Sequence, residues 1–200
     1  MDERRTDSTH VLSAVHAQNR LQCAIETLRH CLSCLAVAVP VWLREHAQPE
    51  WVERYAPRAP DHPTPAGQQE RQAHAELIGA DGDKLLTAIY AEKGLSWLRD
   101  VPAVETLRQV WVQQFYRDAA GVHWRTQEQG IPPARLIISS PYDLDARLGM
   151  KRTTQWVGYK VSLTESCDED HPRLITNVET SPAPISDGEL TPQLSPIAQS

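Results

Sequence analysis

Four groups of side chains in this sequence have types and spacings that could do chemistry. Asp7 stands in the run Thr6-Asp7-Ser8-Thr9, where a carboxylate can bind a hard cation such as Mg²⁺ or, more simply, cap the start of a helix. Asp143 and Asp145 form a second acidic pair just after Pro141, and turn geometry around the proline explains them without any ligand. Cys31 and Cys34, with His30 and Cys23, offer ligands for zinc, yet zinc pairs sit in tight turns and need a second pair, which Cys167 and His171 supply poorly. Three cysteines on an apolar helix read more simply as small core side chains. Arg147, Lys151, Arg152 and Lys160 flank Trp156 and Tyr159. A basic hairpin edge of this kind can touch phosphates, giving affinity with little sequence information; a solvated strand edge guarded by charge accounts for the same residues.

The elements that must position these groups follow from periodicity. Leu21, Ile25, Leu28, Leu32 and Leu35 recur at spacings of four and three, the apolar stripe of an amphipathic helix. Pro40 ends that helix, Pro49 opens a short one through Trp51 and Tyr55, and Pro57, Pro60, Pro63 and Pro65 make an extended connector. A second helical block runs from Gly67 to Ile78, is interrupted by a turn at Ala80 to Asp83, and resumes through Leu85, Leu86, Ile89 and Tyr90 up to Gly94. Pro102 starts a further helix with Val104, Leu107, Trp111 and Phe115 on one face. Trp42, Trp51, Trp97 and Trp111 within these segments read as core rather than as base-stacking platforms. After Gly121 the pattern changes, and Arg135 to Ser139, Gln155 to Thr164 and Arg173 to Thr180 read as strands.

Two hundred residues with 40% hydrophobic side chains can bury a core. Neither a run of about 18 apolar residues nor a signal peptide is found, so a cytoplasmic protein with reduced cysteines is expected. The net charge of -6 argues against a generally basic, nucleic-acid-coating surface. Residues 135–160 nevertheless hold five basic and two acidic groups, whereas residues 161–200 hold one and seven. The tail from Ser181, rich in Pro and Ser, reads as low complexity.

The run Ser139 to Arg147, SSPYDLDAR, followed by Lys151 and Arg152 and by WVGYKVSLTESCDEDHPRLITNVETSPAP from Trp156 to Pro184, closely resembles a block of bacterial insertion-sequence transposases whose catalytic domain is RNase H-like and of the DDE class. RRTDSTHVLSAV, Arg4 to Val15, is similar to that family's first catalytic strand, and VPAVETLRQVWVQQFY from Val101 to Tyr116 also fits. The resemblance covers roughly residues 4 to 185. In such enzymes three carboxylates hold two divalent metal ions that drive in-line phosphoryl transfer. The resemblance therefore implies Asp7 as a catalytic, metal-binding carboxylate, Mg²⁺ as cofactor, and DNA at the element ends as partner, contacted through Arg147, Lys151, Arg152 and Lys160. An intact transposase copy is a second implied partner. Asp143 and Asp145 are the next carboxylates in line.

The family's second Asp, in a strand of the form Val-Asp-x-Gly-Tyr, and its Glu, in a Tyr-x2-Arg-x3-Glu helix, have no counterpart among these residues. Tyr55, Arg58 and His62 match the latter only with His in place of Glu, far upstream, and read as coincidence. Only six residues precede Asp7, where the family carries a helical region, so a chain truncated at both ends relative to the family pattern is expected.

The expected fold is α+β: a partial RNase H-like β-sheet with a large helical insertion between its first and second strands. Residues 1–15 would hold the first strand, 16–130 the insertion, 131–184 further strands and 185–200 a disordered tail. Residues 156–164 and 173–180 should pair antiparallel, with the segment around Asp7 beside them. The expected function is that of a fragment of a DNA transposition and recombination enzyme, inactive alone. The alternatives are a regulatory fragment that binds DNA or transposase, and a gene remnant without a role.

Overall fold

Spacings of four and three among apolar residues do build helices in the computed structural model of the chain, which describes residues 4–12, 19–56, 65, 67–151, 154–166, 172 and 174–186. For residues 4–12, 151 and 154 the description is of the backbone. The chain divides into two compact units: Met1–Ala17 with Ala134–Leu136 and Asp145–Ser200, and Gln18–Pro133 with Ile137–Leu144.

The second unit is helical. Helix α1 (Arg20–Ala38) starts at a capping box, in which the Asn19 side chain accepts from the Gln22 amide and the Gln22 side chain accepts from the Asn19 amide. It buries Ile25, Leu28 and Leu35 together with Cys23, Ala24 and Cys31. Pro40 ends α1 and also opens α2 (Pro40–His46), a helix the apolar pattern does not announce; Pro49 opens α3 (Pro49–Tyr55) as expected. Of the proline connector that follows, residues 57–64 lie outside the described residues. A 3₁₀ segment, Ser96–Asp100, precedes α5 (Pro102–Gln114), which buries Val104, Leu107, Val110 and Trp111.

Helix α4 (Gln68–Ala91) departs from the sequence reading. The turn expected at Ala80 to Asp83 is absent, and the helix runs unbroken through Gly79 and Gly82. Tertiary packing overrides the local preference here. A Cβ on Gly82 would fall inside the Trp111 indole, and one on Gly79 would lie 2.6 Å from the Phe115 ring. The Trp111 Nε1 donates to the Gly79 carbonyl at 2.9 Å, while Asp81 accepts from the Tyr55 hydroxyl at 2.6 Å and pairs with Arg54. Glycine and aspartate, turn formers in isolation, serve in α4 as a close-approach surface and a buried anchor.

Two further corrections concern strands. Phe115, expected on the face of α5, begins β2 (Phe115–Asp118), which forms an antiparallel hairpin with β3 (Gly121–Trp124). Its tight turn uses Gly121 at φ +136°. The expected strand Arg135 to Ser139 does not form; this stretch is a turn and an irregular segment. Ile138 is buried, its amide donates to the Gln113 side chain at 3.0 Å, and its carbonyl accepts from the Cys23 thiol at 3.5 Å. Both backbone groups are thus spent on side chains and unavailable to a ladder.

The first unit contains an antiparallel sheet. Its strands are β1 (Arg4–Leu12), β4 (Arg147–Lys151), β5 (Thr154–Ser166) and β6 (Ile175–Pro182). The long β5 is its interior strand. Position 158 pairs with Leu12 and with Arg147, and positions 159 to 164 pair with both β1 and β6. Hence β1 occupies one edge of β5, and β4 and β6 lie end to end along the other. The expected pairing of the two C-terminal strands, with the Asp7 segment beside them, is observed. The fold is α+β, with five α-helices and two antiparallel sheets among the described residues. Ser181 and Pro182, read as the start of the tail, belong to β6; residues 187–200 lie outside the described residues. Among the described residues no helix is long and apolar enough to cross a membrane.

Candidate functional site

Of the basic residues singled out in the sequence, Arg147 and Lys151 begin and end β4, the first strand of the β4–β5 hairpin. Gly149 stands opposite Trp156 in the ladder, and a Cβ there would lie 2.6 Å from that of Ala183 and 2.8 Å from the Trp156 ring, so only glycine lets the strands close over the indole. Trp156 is buried and donates its Nε1 to the Tyr159 carbonyl at 3.3 Å. It is therefore a packing residue, and Gly158, at φ +148°, stands at the position of β5 that pairs with both β1 and β4.

Arg147 opens β4 half-buried, donating to the Arg135 carbonyl at 3.2 Å and the Ala146 carbonyl at 3.3 Å. Lys151 ends the strand opposite Thr154. Arg152 lies outside the described residues. Lys160 does not share the hairpin edge expected for it: it sits on the interior strand, in register with His10 and Ser181, and is 8% exposed. Positions 147 and 151 thus stand at the two ends of β4, the first at the open end of the hairpin and the second beside its loop, with position 160 withdrawn into the sheet.

Asp7 lies inside β1, opposite Leu163. A strand interior has no helix to cap, which removes the capping alternative. Among the described residues no three His, Cys, Asp or Glu side chains are grouped to hold a metal ion. Asp143 and Asp145 fall in the irregular segment before β4, Asp143 with the helical unit and Asp145 with the sheet unit. Two hard cations held between carboxylates need several of them converging. The residues described here do not provide that set.

Sequence reasoning missed a buried polar cluster that, within the helical unit, ties Ser140 and Tyr142 to α1. Glu26 is 4% exposed, pairs with Arg29 one turn along, and accepts from the Tyr142 hydroxyl at 2.5 Å. Arg29 donates to the same hydroxyl at 2.7 Å. Burial first, then the hydrogen bond to the Glu26 carboxylate, raises the Tyr142 phenol above its usual range. Ser140, fully buried, accepts from the Tyr142 amide at 3.1 Å. The one signal in the sequence was a charged residue set between the stripe positions Ile25 and Leu28, with Arg29 three residues on.

The cysteines behave as core. Cys23 is 2% exposed and Cys31 wholly buried, and burial pushes the Cys23 thiol up to about 11. Cys34 is half-buried, 3.9 Å from His30; Cys167 and His171 lie outside the described residues. Trp42, Trp51 and Trp111 are buried as expected, whereas Trp97, on the 3₁₀ segment, is 46% exposed. Tyr55, in α3, is buried with its hydroxyl on Asp81.

No protein family, curated protein or solved structure gives a match to this chain.

Proposed function

We propose that this chain is a segment of a DNA transposase of the DDE class, one that brings the first catalytic carboxylate and a phosphate-facing hairpin but not the whole metal-binding set. The observation that carries the reading is the SSPYDLDAR block with the Trp156 to Pro184 segment, whose strand β5 pairs with the Asp7-bearing β1 on one edge and with β6 on the other. That arrangement supports a partial RNase H-like sheet because it joins the first and the later strands across a helical insertion. Arg147, Lys151 and Arg152 contact DNA backbone phosphates, and Asp7 supplies one metal ligand in the intact enzyme.

One carboxylate fixes no pair of ions, so the 200-residue chain by itself neither nicks nor joins DNA in Mg²⁺. Nicking of a supercoiled plasmid by purified protein checks this, and Mg²⁺-dependent cleavage abolished by Asp7→Ala would overturn it. The family assignment has its own test in the surrounding DNA. Coding sequence for a Val-Asp-x-Gly-Tyr strand and a Glu-bearing helix, between terminal inverted repeats, is the expected finding. Surrounding DNA without either would sink the assignment.

A further inference from the structure

Arg20 departs from the charge preference of a helix start. It occupies the first position of α1, where the positive end of the helix dipole disfavours a cation, and that first turn holds no acidic residue. Its guanidinium donates from Nη2 to the carbonyl of a second arginine, Arg125, at 2.9 Å. Its remaining contacts are neutral: Nε donates to Gln114 Oε1 at 2.6 Å, and the group lies 4.5 Å above the Trp124 ring. Arg125 donates to the carbonyls of Gln129 at 2.8 Å and Phe115 at 3.1 Å, closing the C-terminal end of α5.

Among the described residues neither arginine has a carboxylate partner, and residues 13–18, Ser-Ala-Val-His-Ala-Gln, contain no acid. Two donors in this cluster are also orphaned. Gln114 is 0% exposed, and its Nε2 has no acceptor; nor has the buried Nε of Arg125. The amide orientation is fixed, because turning Gln114 over would set Nε2 against the Arg20 donor. Burial, and then the charge of Arg125, lower the Arg20 pKa, as follows for a cation withdrawn from water beside a like charge.

Buried donors without acceptors and paired cations without an anion call for the same missing group, an oxyanion that accepts several N–H bonds. We propose that Arg20, Gln114 and Arg125 form a subsite for a phosphate group, at the start of α1 and the end of β3. Guanidinium forks match the tetrahedral oxygens, and Gln114 adds a neutral donor. Sites where a sequence departs from local rules without structural compensation are where function is expected. This inference stands apart from the transposase reading, since it lies wholly in the helical unit and uses none of the hairpin cations.

The test is a phosphate titration of the full chain at constant ionic strength, balanced with chloride and followed by NMR of the arginine Nε–H and glutamine side-chain amide signals. Saturable shifts of Arg20, Arg125 and Gln114 are expected in the millimolar range, with affinity lowered about tenfold or more in Arg20→Gln. Arg108→Gln, which removes a cation already paired with Glu105, should bind as the parent does. Shifts of the same signals by a short duplex DNA would identify backbone phosphodiesters as the source of the group, and a response to inorganic phosphate alone would identify free phosphate. Linear, unsaturable shifts in the parent chain, or equal affinity in a folded Arg20→Gln protein, would overturn the assignment.

Discussion

Glu26 shows how much a single side chain can organise. A carboxylate at 4% exposure is made tolerable in part by Arg29 and the Tyr142 hydroxyl, and removing either partner leaves part of the desolvation cost uncompensated. Tyr142→Phe should therefore destabilise the protein by about 1.5 kcal/mol, the usual size of a hydrogen bond to a charged group. Glu26→Ala should cost about 3 kcal/mol, because it leaves Arg29 beside an apolar helix face without its anion. Urea unfolding monitored by circular dichroism measures both. Equal and negligible losses would mean that the segment after Ser139 is held on α1 by apolar packing alone. The Arg20 cluster is the counterpart at the same scale: there buried donors stand without acceptors.

Helix α4 carries the clearest prediction about an element. On propensity alone, Gly82→Ala in a helix interior would be stabilising by about 1 kcal/mol. The indole of Trp111 occupies the space the methyl group needs, so the substitution should instead destabilise by about 2 kcal/mol, the range of overpacked cores. Thermal melting of Gly82→Ala gives the sign directly, and a raised Tm would contradict the close approach. The same residues explain what could be read in advance. Leucine spacing in α1, prolines at the first positions of α3 and α5, and alternation in β5 and β6 are local signals, and those elements were legible. Gly79, Asp81 and Gly82 mean a turn locally and a packing surface only once Trp111 and Phe115 arrive from elsewhere in the chain. Arg135 to Ser139 failed for the same reason, since the Cys23 and Gln113 side chains that take its backbone groups are remote in sequence. Of the candidate site, Asp7 was legible as a strand residue beside β5 only through the resemblance. The burial of Lys160 was not legible at all, because which strand becomes interior depends on three separate pairings.

At the scale of the molecule, charge limits the DNA contact proposed above. A net charge of -6 surrounds a short cationic stretch, so affinity should be weak, independent of sequence and steeply lost with salt. Replacing Lys151 and Arg152 together with alanine should lower the slope of log affinity against log salt by about two, if each neutralises one phosphate. Mobility shifts at several salt concentrations read that slope, and an unchanged value in the double mutant would assign both residues to a solvated strand edge. Topology has a consequence of a different kind. Strand β1 leaves the ribosome before every other element described, yet its ladder joins Arg4 to Ser166 and Leu12 to Gly158, partners made about 150 to 160 residues later. At ordinary synthesis rates that is an interval on the order of 10–30 s, during which β4, β5 and β6 do not exist and the helical unit has time to close around α1. Strand β1 therefore spends its early life unmatched, and β5, once made, completes the hairpin with β4 before any closure across the whole insertion, because short loops close at lower entropic cost than long ones.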